Sequence, residues 1–127
     1  MFFQYETPRL LLKVLRADCA PQVLDFYNRD KELFEMYEID RVPDFYTVKH
    51  LQKVLRYEYS MAVKSQLFRF YVFKKENPCR IIGTVCIHNI APAFYGCCEI
   101  GYKFSSEFHH MGYATEACLL YTSDAAD

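Results

Sequence analysis

The chain has 127 residues, which is enough for one domain and too few for two. Its 15 Lys and Arg residues against 16 Asp and Glu residues give a formal net charge of -1, which excludes a strongly basic nucleic-acid binder as the first interpretation. Apolar residues make up 52% of the sequence and charged residues 24%, a balance that excludes a disordered chain. The 11 Phe and 11 Tyr residues provide large side chains for a core.

The first half of the sequence has the pattern of one strand followed by helices. Residues 9–15 are short, apolar and preceded by Pro8, which predicts a strand. Asp18 is placed to cap a helix over residues 19–29, and Asp30 to cap a second, short helix. After a break at residues 42–44, Thr47 begins the helix with the clearest pattern. Its apolar residues recur at helical spacing: Val48, Leu51, Leu55, Tyr59 and Ala62.

The second half changes to the alternating pattern of strands. Residues 68–73 predict an aromatic strand, residues 76–78 a turn, and residues 81–87 the second strand of an antiparallel hairpin. A loop over residues 91–96 leads to a third strand at residues 97–104, and a helix begins after Gly112. This order of strands and helices predicts a single α+β domain.

The residues that follow the last strand have the pattern of an anion site. Residues 105–117 pass through a polar loop and a turn with the small residues Gly112 and Ala114 into a helix start. The first N–H groups of a helix lack partners within it and lie at the positive end of its dipole, and small residues let a phosphate approach them. The pattern alone leaves open an anion site or an ordinary tight connection.

Three short stretches resemble the GNAT superfamily of N-acetyltransferases. Residues 99–102 read EIGY and residues 109–117 read HHMGYATEA, which is similar to the acetyl-CoA signature Q/R-x-x-G-x-G/A after a strand. Residues 6–12, ETPRLLL, are similar to the T-x-R-L-x-L opening of the branch named for ribosomal-protein N-terminal alanine and serine acetyltransferases. The resemblance covers residues 5–117 and implies a GNAT-type acyl-CoA N-acyltransferase fold, with a mixed, mostly antiparallel sheet and flanking helices.

The resemblance also implies the site. Acetyl-CoA, the cosubstrate, would lie between the fourth and fifth strands of the family fold. Backbone groups of the fourth, here around Tyr102 and Phe104, would align its pantetheine arm. An amine would attack the thioester directly, with Glu99 as general base. The acceptor stays open between a protein N-terminus, a small amine, an aminoglycoside and a polyamine. The loop implied to bind the pyrophosphate contains His109, His110, Met111, Gly112, Tyr113, Ala114 and Thr115.

Several alternatives remain beside this interpretation. His109 stands where the family usually has Gln or Arg, so a direct phosphate contact and a merely solvated His109-His110 pair are both open. Glu99 is either the base or an ordinary surface carboxylate of its strand. For the whole domain, the second hypothesis is a non-catalytic acyl-CoA-binding or regulatory domain on the same fold, and the third is an RNA-binding sheet. No Cys–His–Asx arrangement is evident, which disfavours an acyl-enzyme.

Other features bear on cellular location. No apolar run approaches the roughly 20 residues needed to cross a bilayer, and residues 1–6 lack the basic start of a secretory signal. The six cysteines form no C-x-x-C pair, so we expect reduced, mostly buried thiols. We therefore expect a cytoplasmic protein with no metal and no membrane or nucleic-acid partner.

The last ten residues, CLLYTSDAAD, match one reading frame of the adapter DNA used in transposase-based sequencing libraries. We expect residues 118–127 to be a non-native tail, although a genuine continuation of the helix is the alternative. Residues 1–117 are then the N-terminal part of a GNAT N-acetyltransferase domain whose C-terminal part is missing. We expect such a fragment to be inactive and poorly stable, with its last strand left as an exposed edge.

Overall fold

The computed structural model describes residues 3–29, 47–88, 99–105 and 111–117, with the backbone alone for His88, Glu99 and Ile100. Within these ranges five strands form one sheet in the order β1-β2-β3-β4-β5, and each neighbouring pair is antiparallel. A short helical segment covers residues 113–117. The helices are α1 (Ala20–Arg29), which follows a 3-10 turn (Ala17–Cys19), and α2 (Val48–Val63). The strands are β1 (Gln4–Glu6), β2 (Leu10–Lys13), β3 (Phe68–Lys74), β4 (Asn77–His88) and β5 (Glu99–Phe104).

The N-terminal elements confirm the predicted strand and helix but not their boundaries. β2 is shorter than predicted, and β1, which the sequence pattern missed, pairs with it so that Tyr5 lies opposite Leu12. The prediction that Asp18 caps α1 is wrong, because Asp18 lies inside the 3-10 turn. The chain already turns there, since the Cys19 N–H donates to the Arg16 carbonyl at 3.0 Å. The predicted helix at Asp30, the break at residues 42–44 and the loop at residues 91–96 lie outside the described residues.

Helix α2 follows its predicted pattern. The Thr47 hydroxyl accepts a hydrogen bond from the His50 N–H at 3.2 Å and so caps the first turn. Leu51 and Leu55 are fully buried in the core that α2 shares with α1 and β3. The same face also buries Glu58, which is only 7% exposed. A buried carboxylate needs partners, and they are described below with the site.

The hairpin between β3 and β4 is tighter than predicted, because β4 already begins at Asn77, directly opposite Lys74. The register shifts after Val72, and Gly83 then lies beneath the ring of Phe104. A Cβ atom at Gly83 would come within 2.4 Å of that ring, so only glycine fits. This close approach lets β5 lie flat against β4 at its C-terminal end.

The sheet has a different core on each face. On one face Phe70 and Val85 pack with Phe104 and with Tyr113 of the helical segment. On the other face Tyr71 packs beneath α1 and α2. β5 lies at the edge of the sheet and pairs with β4 alone among the described strands. It therefore carries side chains toward the two α-helices on one face and toward the segment 113–117 on the other.

Two further sequence expectations can be compared with the described residues. Three cysteines are described as free thiols, of which Cys86 is buried, Cys19 is half-buried and Cys79 is exposed. Cys79 is therefore an exception to the expectation of mostly buried thiols. No helix in the described ranges is long and apolar enough to span a membrane.

Candidate functional site

β5 leads into the turn that the sequence marks as the anion site. The strand ends where the N–H of the buried Ser105 donates to the Ile82 carbonyl at 2.9 Å. When the described chain resumes, Gly112 has a φ of 79°, in the left-handed region that favours glycine. The Glu116 N–H then donates to the Gly112 carbonyl at 3.0 Å, which closes the first helical turn. The predicted sequence of strand, turn and helix start is therefore present.

The predicted cofactor residues divide by exposure. Tyr102 is 62% exposed on β5, and Met111, Gly112 and Thr115 are exposed on the turn, whereas Ala114 is half-buried. Phe104 and Tyr113 are buried in the same core, so their side chains are not accessible to a ligand. Glu99 begins β5 in register with His88. The Glu99 side chain, His109 and His110 lie outside the described residues.

A cluster that sequence analysis missed ties this turn to the N-terminal strands. We call Thr7, Arg9 and Glu116 the Glu116 cluster. The Glu116 carboxylate accepts hydrogen bonds from the Thr7 hydroxyl, from the Arg9 N–H at 3.1 Å and from Arg9 Nε at 2.7 Å. Arg9 also donates to the Met111 carbonyl at 3.1 Å and lies 4.4 Å from the centre of the Tyr113 ring. The N-terminal motif therefore holds the turn in place.

The charge of Arg9 in this cluster is balanced by Glu116. Partial burial alone would raise the pKa of Glu116, but the hydrogen bonds from Thr7 and Arg9 outweigh it and hold the pKa below its ordinary value. Glu116 is therefore ionised at neutral pH and compensates the guanidinium. Arg9 positions the turn and adds no net positive charge to it.

A pocket of about 610 Å³ lies beside β5 on the face of the sheet that α2 covers. The strand register builds its floor from two rows that cross β3, β4 and β5. The pocket is open at the β5 end of one row, because the residue there is a glycine: a Cβ atom at Gly101 would meet nothing within 4 Å. Tyr57 and Met61 of α2 form one wall. The rows are Arg69, Cys86 and Gly101, and Thr84 and Lys103, which continue the row of the buried Tyr71.

The polar groups of this pocket are unusual for their burial. Burial lowers the pKa of Lys103 to about 8, and its Nζ lies 5.5 Å from the centre of the Tyr27 ring. Thr84 is 1% exposed, and its Oγ1 has no hydrogen-bond partner among the described residues. Burial also raises the pKa of the Cys86 thiol, which stays protonated near neutral pH.

A second cluster, Glu58, Arg69 and Tyr71, shares Arg69 with the pocket lining, and we call it the Glu58 cluster. Arg69 Nε lies 2.7 Å from one carboxylate oxygen of Glu58, and the Tyr71 hydroxyl donates to the other at 2.8 Å. Burial raises the pKa of Glu58, while the charge of Arg69 and the hydrogen bond from Tyr71 act against that rise. Glu58 lies three residues after Leu55, on the apolar face of α2. A glutamate at that position could have indicated from the sequence that a carboxylate is buried there.

Comparison with known proteins identifies the family. Residues 9–127 match the acetyltransferase (GNAT) domain family, a range that includes the tail at residues 118–127, and the chain therefore belongs to this family. The part of the chain that the structure describes contains no group of three or more His, Cys, Asp or Glu side chains that could hold a metal ion.

Three relatives are informative. A probable N-acetyltransferase, YjcK of Bacillus subtilis, is 25% identical over 111 residues, which cover 87% of this chain and 61% of that protein. The crystal structure of a ribosomal-protein-S5-alanine acetyltransferase from Vibrio fischeri matches with a TM-score of 0.83 at 21% identity, over 94% of this chain and 65% of that one. A microcin C7 self-immunity acetyltransferase, in complex with acetyl-CoA and AMP, matches with a TM-score of 0.74 at 17% identity, over 88% and 59%. The chain thus spans less than two thirds of these relatives.

Proposed function

We propose that this chain is the acetyl-CoA-binding part of an N-acetyltransferase that transfers an acetyl group to a primary amine. Family membership supports acetyl transfer, and one observation carries the assignment of the site. The edge strand β5 runs toward a left-handed Gly112 at the start of a helical segment, and the Glu116 cluster fixes that segment to the rest of the fold. Acetyl-CoA supplies the activated acetyl thioester.

The described residues fit this cosubstrate. β5 is an edge strand among the described strands, and on the proposed function the polar backbone groups of its outer side would contact the pantetheine arm. Gly112 and Met111 are exposed where the helical segment begins, and N–H groups at a helix start bind phosphate well. Because Glu116 neutralises Arg9, the pyrophosphate would be held mainly by backbone N–H groups. The His109 and His110 side chains stay candidates for added positive charge.

For the chemical step we propose direct attack by the amine. Its nitrogen forms a bond to the acetyl carbon, the carbon–sulfur bond breaks, and CoA leaves as a thiolate. Glu99, at the start of β5, takes the proton of the attacking amine directly or through water. Cys86 supports this route over an acyl-enzyme, because its thiol stays protonated.

We place the acceptor amine in the pocket beside β5. Gly101 and Lys103 line this pocket and belong to the strand that would hold the thioester. The similarity to an acetyltransferase of a ribosomal-protein alanine favours a protein N-terminus as the acceptor. Small-molecule amines remain the other class.

We also propose that the 127 residues alone do not turn over. In the described structure no strand lies on the outer side of β5, so one wall of the proposed acetyl-CoA site is not formed by described residues. Cooperative melting together with measurable acetyl transfer by the 127-residue chain would refute this proposal.

The test uses the gene product recovered from its source, with the 127-residue chain in parallel. Acetyl-CoA binding is measured by calorimetry, and release of the CoA thiol is measured with a panel of amines. We expect Glu99→Gln to lower turnover by about 100-fold and to leave acetyl-CoA binding unchanged. Unchanged turnover would remove Glu99 from the mechanism. Binding without any turnover would favour the non-catalytic acyl-CoA-binding domain, and absence of binding would overturn both functions.

A further inference from the structure

We infer that Arg9 is a positioning residue for acetyl-CoA, because it aims the N–H group of Gly112 at the place where the pyrophosphate would bind. The inference rests on the proposed function, which places the pyrophosphate at this turn, and it names the backbone donor and the side chain that orients it. It is carried by the hydrogen bond from the Arg9 guanidinium to the Met111 carbonyl and by the peptide unit that this carbonyl shares with Gly112.

The guanidinium reaches the turn from a backbone that is itself held in place. Arg9 lies between β1 and β2, where the Thr7 hydroxyl accepts a hydrogen bond from the Leu10 N–H at 3.0 Å and donates one to Glu116. The Arg9 carbonyl accepts a hydrogen bond from the Lys75 N–H at 3.0 Å, which ties it to the connection between β3 and β4. The position from which the guanidinium extends is therefore fixed to the sheet.

The Arg9 guanidinium contacts the turn at several points. Its Nε lies 2.7 Å from the Glu116 carboxylate, and its Nη1 donates to the Met111 carbonyl at 3.1 Å. Its Cζ lies 4.4 Å from the centre of the Tyr113 ring. A Cβ atom at Gly112 would lie 3.5 Å from Nη2, so the planar group also covers one side of this glycine. Because a guanidinium presents its donors in a fixed fork, these contacts set the orientation of the Met111 carbonyl.

The direction of that carbonyl decides where the next N–H group points. Met111 and Gly112 share a peptide unit that is planar and trans, so its carbonyl and N–H groups point in opposite directions. With the Met111 carbonyl turned toward Arg9, the Gly112 N–H points away from Arg9. Gly112 is exposed, and its N–H donates to no described residue. A phosphate oxygen that accepts from this N–H forms a charge-assisted hydrogen bond.

This role differs from that of a residue that only stabilises the fold. The positive charge of Arg9 is compensated by Glu116, so its effect on a phosphate passes through the Gly112 N–H. The effect should therefore be confined to ligands that carry a pyrophosphate. S-acetylpantetheine has the thioester and the pantetheine arm of acetyl-CoA but no pyrophosphate, which makes it the matched control ligand.

The test measures binding of acetyl-CoA, S-acetylpantetheine and inorganic pyrophosphate to the 127-residue chain by NMR titration, with the Gly112 amide as the spectroscopic signature. We expect acetyl-CoA and pyrophosphate to shift the Gly112 amide proton downfield and S-acetylpantetheine to leave it in place. Arg9→Met should weaken binding of acetyl-CoA and pyrophosphate by about tenfold and leave binding of S-acetylpantetheine unchanged. Equal weakening of acetyl-CoA and S-acetylpantetheine, or unchanged binding of pyrophosphate, would overturn the inference.

Two further variants separate the fork from its charge. Arg9→Lys keeps a positive charge beside Glu116 but presents its donors from a single nitrogen, so it should bind pyrophosphate severalfold more weakly than the parent chain even where its melting temperature is the same. Arg29→Met removes an arginine from an ion pair with Asp25 and should leave all three affinities unchanged. Parental affinity in Arg9→Lys would overturn the inference, because charge alone would then suffice.

The outcomes distinguish the inference from the proposed function. Acetyl-CoA binding that is equal in the parent chain and in Arg9→Met would keep the proposed function and overturn the inference. A Gly112 response to pyrophosphate that depends on Arg9, in a chain that does not bind acetyl-CoA, would support the inference and count against the proposed function. Absence of any Gly112 response to acetyl-CoA and pyrophosphate would overturn the inference.

Discussion

Two glutamates in this chain are each held by an arginine and a hydroxyl group, but in opposite surroundings. In the Glu116 cluster the Arg9 side chain is 47% exposed and that of Glu116 is 17% exposed. In the Glu58 cluster the corresponding values are 23% for Arg69 and 9% for Glu58. The arginine Nε lies 2.7 Å from a carboxylate oxygen in both clusters. The two clusters differ in their exposure to solvent, and Glu116 has in addition a hydrogen bond from the Arg9 backbone N–H.

The pKa values of the two carboxyl groups respond in opposite directions. Burial acts to raise the pKa of Glu116, but the hydrogen bonds from Thr7 and Arg9 outweigh it and hold the pKa below its ordinary value. Burial raises the pKa of Glu58 even though Arg69 and Tyr71 both act against it. An arginine and a hydroxyl group therefore stabilise the ionised carboxylate of Glu116 near the surface. In the core, the ionised carboxylate of Glu58 depends on the same kinds of partner to offset the cost of its burial.

The largest effect is expected where the buried cluster loses its cation. Arg69→Met leaves the Glu58 carboxylate buried with only the hydrogen bond from Tyr71, and should lower the free energy of unfolding by about 3–5 kcal/mol. Urea denaturation measures this change. The double variant Glu58→Gln with Arg69→Met should recover a large part of the loss, since the uncompensated charge is gone. A loss below about 1 kcal/mol in the single variant would show that Glu58 is not ionised in the core.

A smaller effect is expected at the surface cluster. Glu116→Ala removes the acceptor for Thr7 and Arg9 and should lower the free energy of unfolding by about 1 kcal/mol, because both partners can hydrate. Glu76→Ala is the matched control. Among the described residues Glu76 pairs with Lys74, and its side chain is 72% exposed, so its loss should be within about 0.5 kcal/mol. Equal losses in the two variants would mean that the Glu116 cluster is an ordinary surface pair and does not fix the turn.

The Glu116 cluster also shows how far the sequence could go. Thr7, Arg9 and Glu116 all lie in stretches that resemble the family, so sequence analysis identified their motifs. Their contact joins residues more than 100 positions apart, and no periodicity in a single sequence reports such a pairing. The strands and α2 were predicted because their patterns are local, and Asp18 was misplaced because a 3-10 turn and a helix cap favour the same residue types.

The pocket was less accessible to sequence analysis than the turn. Its floor depends on two registers. The register of β4 with β5 sets Thr84 opposite Lys103 and Cys86 opposite Gly101, and the register of β3 with β4 follows from the hairpin turn and the bulge after Val72. The sequence pattern placed that turn later than the structure does. For the same reason, nothing in the sequence marked Lys103 as a buried ammonium group.

The finest distinction between the two clusters is in the pH dependence of stability. The pKa of Glu116 is lowered in the folded chain. Its contribution to the free energy of unfolding is therefore present above the ordinary pKa of 4.5 and is lost as the pH falls through the pKa of the folded chain. The pKa of Glu58 is raised in the folded chain. Its contribution to the free energy of unfolding is therefore present below pH 4.5 and is lost as the pH rises through the pKa of the folded chain. The two slopes have opposite signs and lie on opposite sides of 4.5.

Urea denaturation from about pH 3 to about pH 7, a range that includes both sides of that ordinary value, separates them. Relative to the parent chain, Glu116→Gln should reduce the loss of stability on the acid side. Glu58→Gln should reduce the loss on the side toward neutral pH. Each variant should leave the pH dependence that arises from the other cluster unchanged, because the clusters share no residue and lie on opposite faces of the sheet. Parallel curves for Glu58→Gln and the parent chain would mean that Arg69 and Tyr71 fully compensate burial, and that solvent is not what distinguishes the two glutamates.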